Sequence, residues 1–157
     1  MTRPLPANAN DVHDTPTAPA TALDAMRPDL PAKLRSKLTK LGVHSIRRHI
    51  LLCADTGECG CASASQMKDS WKYLKKRLKQ LGLSQAGGVA RSRTQCLDLC
   101  KAGPIAIVYP EGTWYGWCHE ENLERIIQSH LVQGRIVDDL VLARPGLDNG
   151  ADRSQVA

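Results

Sequence analysis

Six cysteines in 157 residues carry the reactive chemistry of this sequence, and five of them fall into two clusters. Cys53, Cys59 and Cys61 crowd into CADTGECGC, Cys96 and Cys100 bracket CLDLC, and Cys118 stands apart. Thiolates are soft donors that select zinc, Cu(I) or iron–sulfur clusters. The N-terminal stretch lacks the continuous apolar region of a signal peptide, and no apolar run approaches the roughly 18 residues needed to cross a membrane. A cytoplasmic protein with reduced thiols is therefore expected, its cysteines serving metal or redox chemistry rather than a disulfide framework. No Cys-x-x-Cys occurs, which argues against dithiol–disulfide exchange.

Spacing narrows the chemistry. A structural zinc site draws on close pairs such as Cys-x2-Cys, folded around one small ion. Here five or seven residues separate the thiols of the first cluster, and three separate those of the second. A binuclear iron–sulfide rhomb is larger than one ion and takes a thiolate pair on each iron. The wider spacing favours 2Fe–2S and keeps zinc as the alternative, since the common plant and bacterial ferredoxin spacings are both absent. Cys118 reads as a small buried hydrophobe. His49 and His130 read as hydrogen-bonded structural residues rather than ligands.

The elements around the thiols must bring the two clusters together. RRHILLC (47–53) reads as a buried strand ending on Cys53, and GGVARSRTQC (87–96) as a second strand ending on Cys96. Between them QMKDSWKYLKKRLKQLG (66–82) places Met67, Trp71, Leu74, Leu78 and Leu81 on one helical face, with Gly82 as terminator. A right-handed strand–helix–strand crossover makes the two strands parallel and delivers both cysteine loops to one sheet edge. IAIVYPEGTWYGWC then signals a hairpin around Pro110-Glu111-Gly112, with Trp114 and Trp117 flanking Tyr115 as core or dimer-interface residues. HEENLERIIQSHLVQG (119–134) forms a helix whose face carries Leu123, Ile126, Ile127, His130 and Leu131. RIVDDLVLA adds a short terminal strand or a packed tail.

The predicted class is α/β: a thioredoxin-like mixed sheet, strand–helix–strand plus hairpin, flanked by helices. Residues 1–28 read as a disordered tail, and 29–44 as a short helix packing on the domain. That helix has Asp29 as cap, Pro31 in its first turn, a Leu34/Leu38/Leu41 stripe and Gly42 at its end. Residues 45–143 form the domain, and 144–157 a flexible tail. A net charge of +5 and a pI near 9.0 suit acidic partners without indicating nucleic acid. The polar face of the long helix carries Lys68, Lys72, Lys75, Lys76, Arg77 and Lys79 against Asp69 alone. It is either a solvated surface or a docking face for an acidic partner. Arg91, Arg93 and Lys101 lie near the ligand candidates in sequence, as ordinary surface charge or as groups that raise a reduction potential.

RHILLCAD, SWKYLKKRLKQLGL, the C-LDL-C-KAGP segment, IVYPEGTWYGWC and ENLERIIQSHL together resemble the thioredoxin-like 2Fe–2S ferredoxins of bacteria. A more distant similarity is to the small iron–sulfur subunit of respiratory NADH dehydrogenase. The resemblance covers roughly residues 45–143. It implies one 2Fe–2S cluster on four cysteines, one-electron transfer between redox proteins without enzymatic activity, and a homodimer. It matches Cys53 to the ligand at the end of the first strand and Cys96 and Cys100 to the Cys-x3-Cys pair. Counting back from Trp71 selects Cys61 as the fourth ligand, with Cys59 as the alternative. Redox partner proteins are expected, with the basic helix 68–79 as a candidate docking face beside its reading as a solvated surface, and neither nucleic acid nor a membrane as partner. The other readings are a zinc-stabilised four-cysteine interaction module, or a subunit of a larger NADH-dependent oxidoreductase.

Overall fold

The computed structural model describes residues 29–54, 62–99 and 101–145. Strand β1 (Arg48–Cys53) and strand β2 (Val89–Thr94) pair in parallel, with Cys53 opposite Thr94. Strand β3 (Ala106–Tyr109) runs antiparallel on the other side of β1, followed by β4 (Thr113–Tyr115) and β5 (Val141–Ala143). The sheet order is β2-β1-β3-β4-β5. This is the expected mixed sheet, and RIVDDLVLA supplies its closing strand.

Helix α2 (Ala64–Gln80) makes the crossover from β1 to β2. It starts two residues ahead of the predicted span because Ser63 and Gln66 form a reciprocal cap. Gln66 N–H donates to Ser63 Oγ at 3.2 Å, and Ser63 N–H donates to Gln66 Oε1 at 3.0 Å. Its face buries Met67, Leu74 and Leu78 completely and half-buries Trp71 and Leu81. Helix α3 (Glu120–Ile126) continues into a π-helical stretch, Ile127–Val132. All five predicted face residues, Leu123, Ile126, Ile127, His130 and Leu131, are buried.

Ile50 and Leu52 of β1, with Ala106 and Val108 of β3, pack in one cluster with Leu74 and Leu78 of α2 and Leu123 and Ile126 of α3. Each of these Ile, Leu and Val side chains stabilises the fold by about 1.5–3 kcal/mol on burial, and Ala106 by less. With no Phe in the chain, Tyr115 supplies the largest fully buried group.

Three expectations need correction. Helix α1 (Ala32–Leu41) has Pro31, not Asp29, at its N-cap, and no side chain caps it. Its leucine stripe is not a core face: Leu34 and Leu41 are exposed and the helix buries no residue. It adjoins the domain mainly through its C-terminal Gly42, which sits against the backbone of Gln85 and Ala86 too closely for a Cβ. Trp117 lies beyond β4, half-exposed and at φ +49°, so it does not flank Tyr115 within the strand. The expectations for 1–28 and for 146–157 lie outside the described residues.

Candidate metal centre

β1 and β2 end side by side, and each hands over to a cysteine. Cys53 is the last residue of β1 and only 1% exposed. Its N–H donates to Ile105 O at 2.8 Å, so the thiol-bearing residue is held from the β3 side as well as by β2. Cys96 follows the end of β2 by two residues, and Ala54 N–H reaches across to Thr94 O at 3.4 Å. The parallel register of Cys53 and Thr94 thus brings the two strand ends from which the cysteine segments leave to one side of the sheet. Cys59, Cys61 and Cys100 lie outside the described residues. Among the described residues no three His, Cys, Asp or Glu side chains gather around a metal position, and Cys53 and Cys96 are the described half of the proposed set.

The surroundings fit thiolates holding an iron–sulfur cluster. Asp98 N–H donates to Cys96 Sγ at 3.4 Å, the kind of amide–sulfur bond that iron–sulfur sites use to set potential. Asp98 can aim its amide there because it adopts φ +58°, a left-handed conformation that Asp tolerates better than most residues. Nothing beyond the residue type signalled this donor in the sequence. Behind Cys53 stands an apolar wall. Met67 of α2 and Ile105 are buried with it, and Ala62, Leu97, Ala102, Trp114 and Leu142 pack against them. Ala102 N–H donates to Leu99 O at 3.3 Å, which turns the second loop back toward β3.

The other singled-out groups separate cleanly. Cys118 is fully buried, burial pushes its thiol up, and it stands outside the Cys53 cluster, in the main core. His49 Nε2 meets Ser92 Oγ at 2.8 Å and His130 Nδ1 meets Tyr115 Oη at 2.7 Å, as structural histidines do. Arg91 is three residues back from the end of β2, with Nη1 donating to Ser84 Oγ at 2.9 Å. It therefore turns away from the thiols. Arg93 and Lys101 are exposed. Arg77 leaves the basic face altogether. It clamps Glu124 of α3 with Nε and Nη2 at 2.8–2.9 Å, and with Tyr73 and Gln128 it holds that carboxyl down at about 2.

At the opposite end of β1 the fold holds a polar chain that sequence reasoning treated as a turn residue and a face histidine. Arg48 donates to Glu111 Oε1 at 3.0 Å from Nη2 and at 3.2 Å from Nε. Glu111 Oε2 lies 3.3 Å from His130 Nε2, within ion-pair range but off the line of a hydrogen bond. Tyr115 Oη accepts from Val137 N–H at 3.3 Å and shares a hydrogen bond with His130 Nδ1 at 2.7 Å. Burial pushes the His130 pKa below its ordinary value despite the nearby carboxylate, and burial pushes Tyr115 up to about 12. Glu111 is raised by burial, but its own backbone amide and Arg48 outweigh that and hold it below the usual range.

No family profile matches the chain. It is 39% identical over 57 residues to a 2Fe–2S ferredoxin of Aquifex aeolicus (strain VF5), covering 34% of this chain and 51% of that protein. It is 43% identical over 49 residues to a 2Fe–2S ferredoxin of Clostridium pasteurianum, covering 31% and 48%. The chain thus spans about half the length of these two relatives. A Priestia megaterium protein designated a 2Fe–2S ferredoxin aligns further, at 30% identity over 97 residues, covering 62% of this chain and 71% of the relative. The chain belongs to the thioredoxin-like 2Fe–2S ferredoxin family. A solved structure of the thioredoxin-like [2Fe–2S] ferredoxin from Aquifex aeolicus superposes with a TM-score of 0.54 at 25% identity, over 68% of this chain and 99% of that one. The wild-type Aquifex ferredoxin in another structure gives 0.51 at 25% identity. The parallel pairing of β1 and β2 in this sheet brings the strand ends next to Cys53 and Cys96 to the same side.

Proposed function

We propose that this protein carries one 2Fe–2S cluster and passes single electrons between redox proteins, without catalysing a reaction itself. The ligands are Cys53, Cys96, Cys100 and Cys61, with Cys59 as the alternative to Cys61, and the working unit is the domain of residues 45–143. The observation that carries this reading is the placement of Cys53 and Cys96 at the neighbouring ends of two parallel strands. Relatives named as 2Fe–2S ferredoxins support it.

When bound, the cluster supplies one site that accepts and releases a single electron. The chain's own part is to hold and tune it. Cys53 N–H bonds Ile105 O and the next amide, Ala54 N–H, bonds Thr94 O, so the backbone at the thiol is held from both sides and little structure need rearrange between redox states. The Asp98 amide partly offsets negative charge on Cys96 Sγ. Met67, Ile105 and Trp114 exclude water behind Cys53 and strengthen every electrostatic contact there.

The partners are redox proteins that dock near the ligand edge, on the basic side of α2 between residues 68 and 79. A homodimer is supported by the half-exposed Trp117 and Tyr109, which offer apolar surface to a second copy. A cytoplasmic location suits reduced thiols. Among the described residues no helix is long and apolar enough to cross a membrane. Purification without oxygen followed by iron, sulfide and zinc analysis tests the main claim. Two irons and two sulfides per chain with red-brown colour are expected, and a colourless protein with stoichiometric zinc would overturn it. Sedimentation of the holoprotein tests the dimer.

A further inference from the structure

Two cavities open along the side of α2 that faces β2, and they are one groove. The first, about 680 Å³, begins at Ala54, directly after Cys53, and is lined by Lys68, Lys72, Lys75 and Arg93. The second, about 720 Å³, shares Lys72 and Lys75 and adds Lys76, Lys79 and Arg91. Its far end reaches Ser84 and Gln85. Among the described residues no carboxylate lines either cavity. The nearest acid on the helix, Asp69, meets Lys72 only at 3.8 Å, with both side chains well exposed. Such a pair is worth little in water.

A surface kept charged only for solubility mixes signs, because like charges three and four residues apart on a helix repel. Lys68, Lys72, Lys75, Lys76 and Lys79 stand at those intervals, so their crowding opposes folding of α2 slightly. The fold adds to it: β2 turns Arg91 and Arg93 to the same side, whereas Arg77, on the other side of α2, is neutralised by Glu124. Positive charge is thus concentrated in a concave track while the neighbouring helix face is balanced. The half-buried Trp71 lines the first cavity, with Lys75 Nζ 5.8 Å from its ring centre.

We infer that this groove receives an extended acidic segment of the protein that exchanges electrons with the ligand edge, an inference resting on the carrier reading above. Charge complementarity commits the occupant, and Trp71 gives one apolar side chain a place among the anions. From Lys68 to Lys79 the helix rises roughly 16 Å, the length of about five extended residues. Because the groove starts at Ala54, seating the segment brings the partner's surface to the residue after Cys53.

The test uses the full-length holoprotein and a fluorescein-labelled hexaglutamate peptide, followed by fluorescence anisotropy at low and at physiological salt. Binding is expected at low salt and weakening as salt rises. The Lys72→Glu/Lys75→Glu variant should weaken it by about tenfold or more, Lys72→Gln/Lys75→Gln by less, and Lys33→Glu/Lys37→Glu on α1 hardly at all. Equal binding by the groove and α1 variants would overturn the inference, as would tighter binding of a single-stranded oligonucleotide of matched charge. Visible absorbance of the same samples scores the carrier reading separately. A colourless protein whose peptide binding still depends on Lys72 and Lys75 would sink the carrier and keep the acidic-segment site.

Discussion

At its start β1 offers Arg48 to the carboxylate of Glu111, and at its end it offers Cys53 to a wall of apolar side chains. The Arg48 end is closed internally. Arg48, Glu111, His130 and Tyr115 come from two strands, a turn and a helix, with Arg48 bonded to Glu111, Tyr115 to His130, and the Glu111 carboxylate beside the His130 ring. The Cys53 end leads in sequence into the cysteine-rich segment. Cys53 ends β1 and Cys96 follows β2, a backbone amide donates to Cys96 Sγ, and charge gathers beside them in the lysine groove. Groups that pair with each other hold a fold together, whereas groups left to face outward serve a cofactor or a partner.

The sharpest way to break this contrast is at the sulfur end. Cys53→Ser and Cys96→Ser should each abolish stoichiometric iron and sulfide and the visible absorbance, while Cys118→Ala keeps both. Retained colour in Cys53→Ser would remove β1 from the site.

At the polar end the expected cost is in stability rather than in cofactor. Tyr115→Phe removes the hydroxyl shared by His130 and Val137 N–H and should cost about 1–3 kcal/mol, read from urea unfolding. Unchanged iron content in that variant would show that the two ends act independently.

Acid should attack the polar end first. In the folded protein His130 has a pKa below its ordinary 6.5, so below that pH the unfolded chain binds the proton more readily. Stability present above pH 6.5 is lost as pH falls through the folded value. A second loss begins below 4.5, where Glu111 and Glu124, both held low, must protonate, and for Glu124 it runs down to about 2. Urea midpoints at pH 7.5, 6 and 5 check the first step. It should shrink in His130→Gln, and a drop of the same size in that variant would assign it elsewhere.

The smallest effect belongs to the α2 cap. Ser63→Ala should cost about 1 kcal/mol, and because the cap adjoins the first cysteine loop, it should also speed cluster loss on warming. A stability loss without faster bleaching would separate helix capping from the ligand edge.

Local patterns made much of this fold legible. The stripe from Met67 to Leu81 and the face from Leu123 to Leu131 report which side of each helix is buried, since helical period and apolar burial are local properties. A strand running into Cys53 and another into Thr94 and Cys96 was enough to place two thiols on one edge, because a right-handed crossover leaves no other arrangement. The leucines of α1 show the limit of that reasoning: the same periodicity appears there, yet no sheet lies beneath it to bury Leu34 or Leu41.

What the sequence determined by itself was the family, the helical faces and the thiols that end the strands. Only the tertiary structure decided which charges are spent internally and which stay available. Arg77 and Lys76 are neighbours in the chain, but packing of α2 on α3 gives one of them Glu124 and leaves the other on the groove. Glu111 reads as a turn residue until the hairpin brings it to Arg48, sixty-three positions away, and His130 moves beside it. Such pairings depend on register between distant segments, and no window along the chain contains both partners.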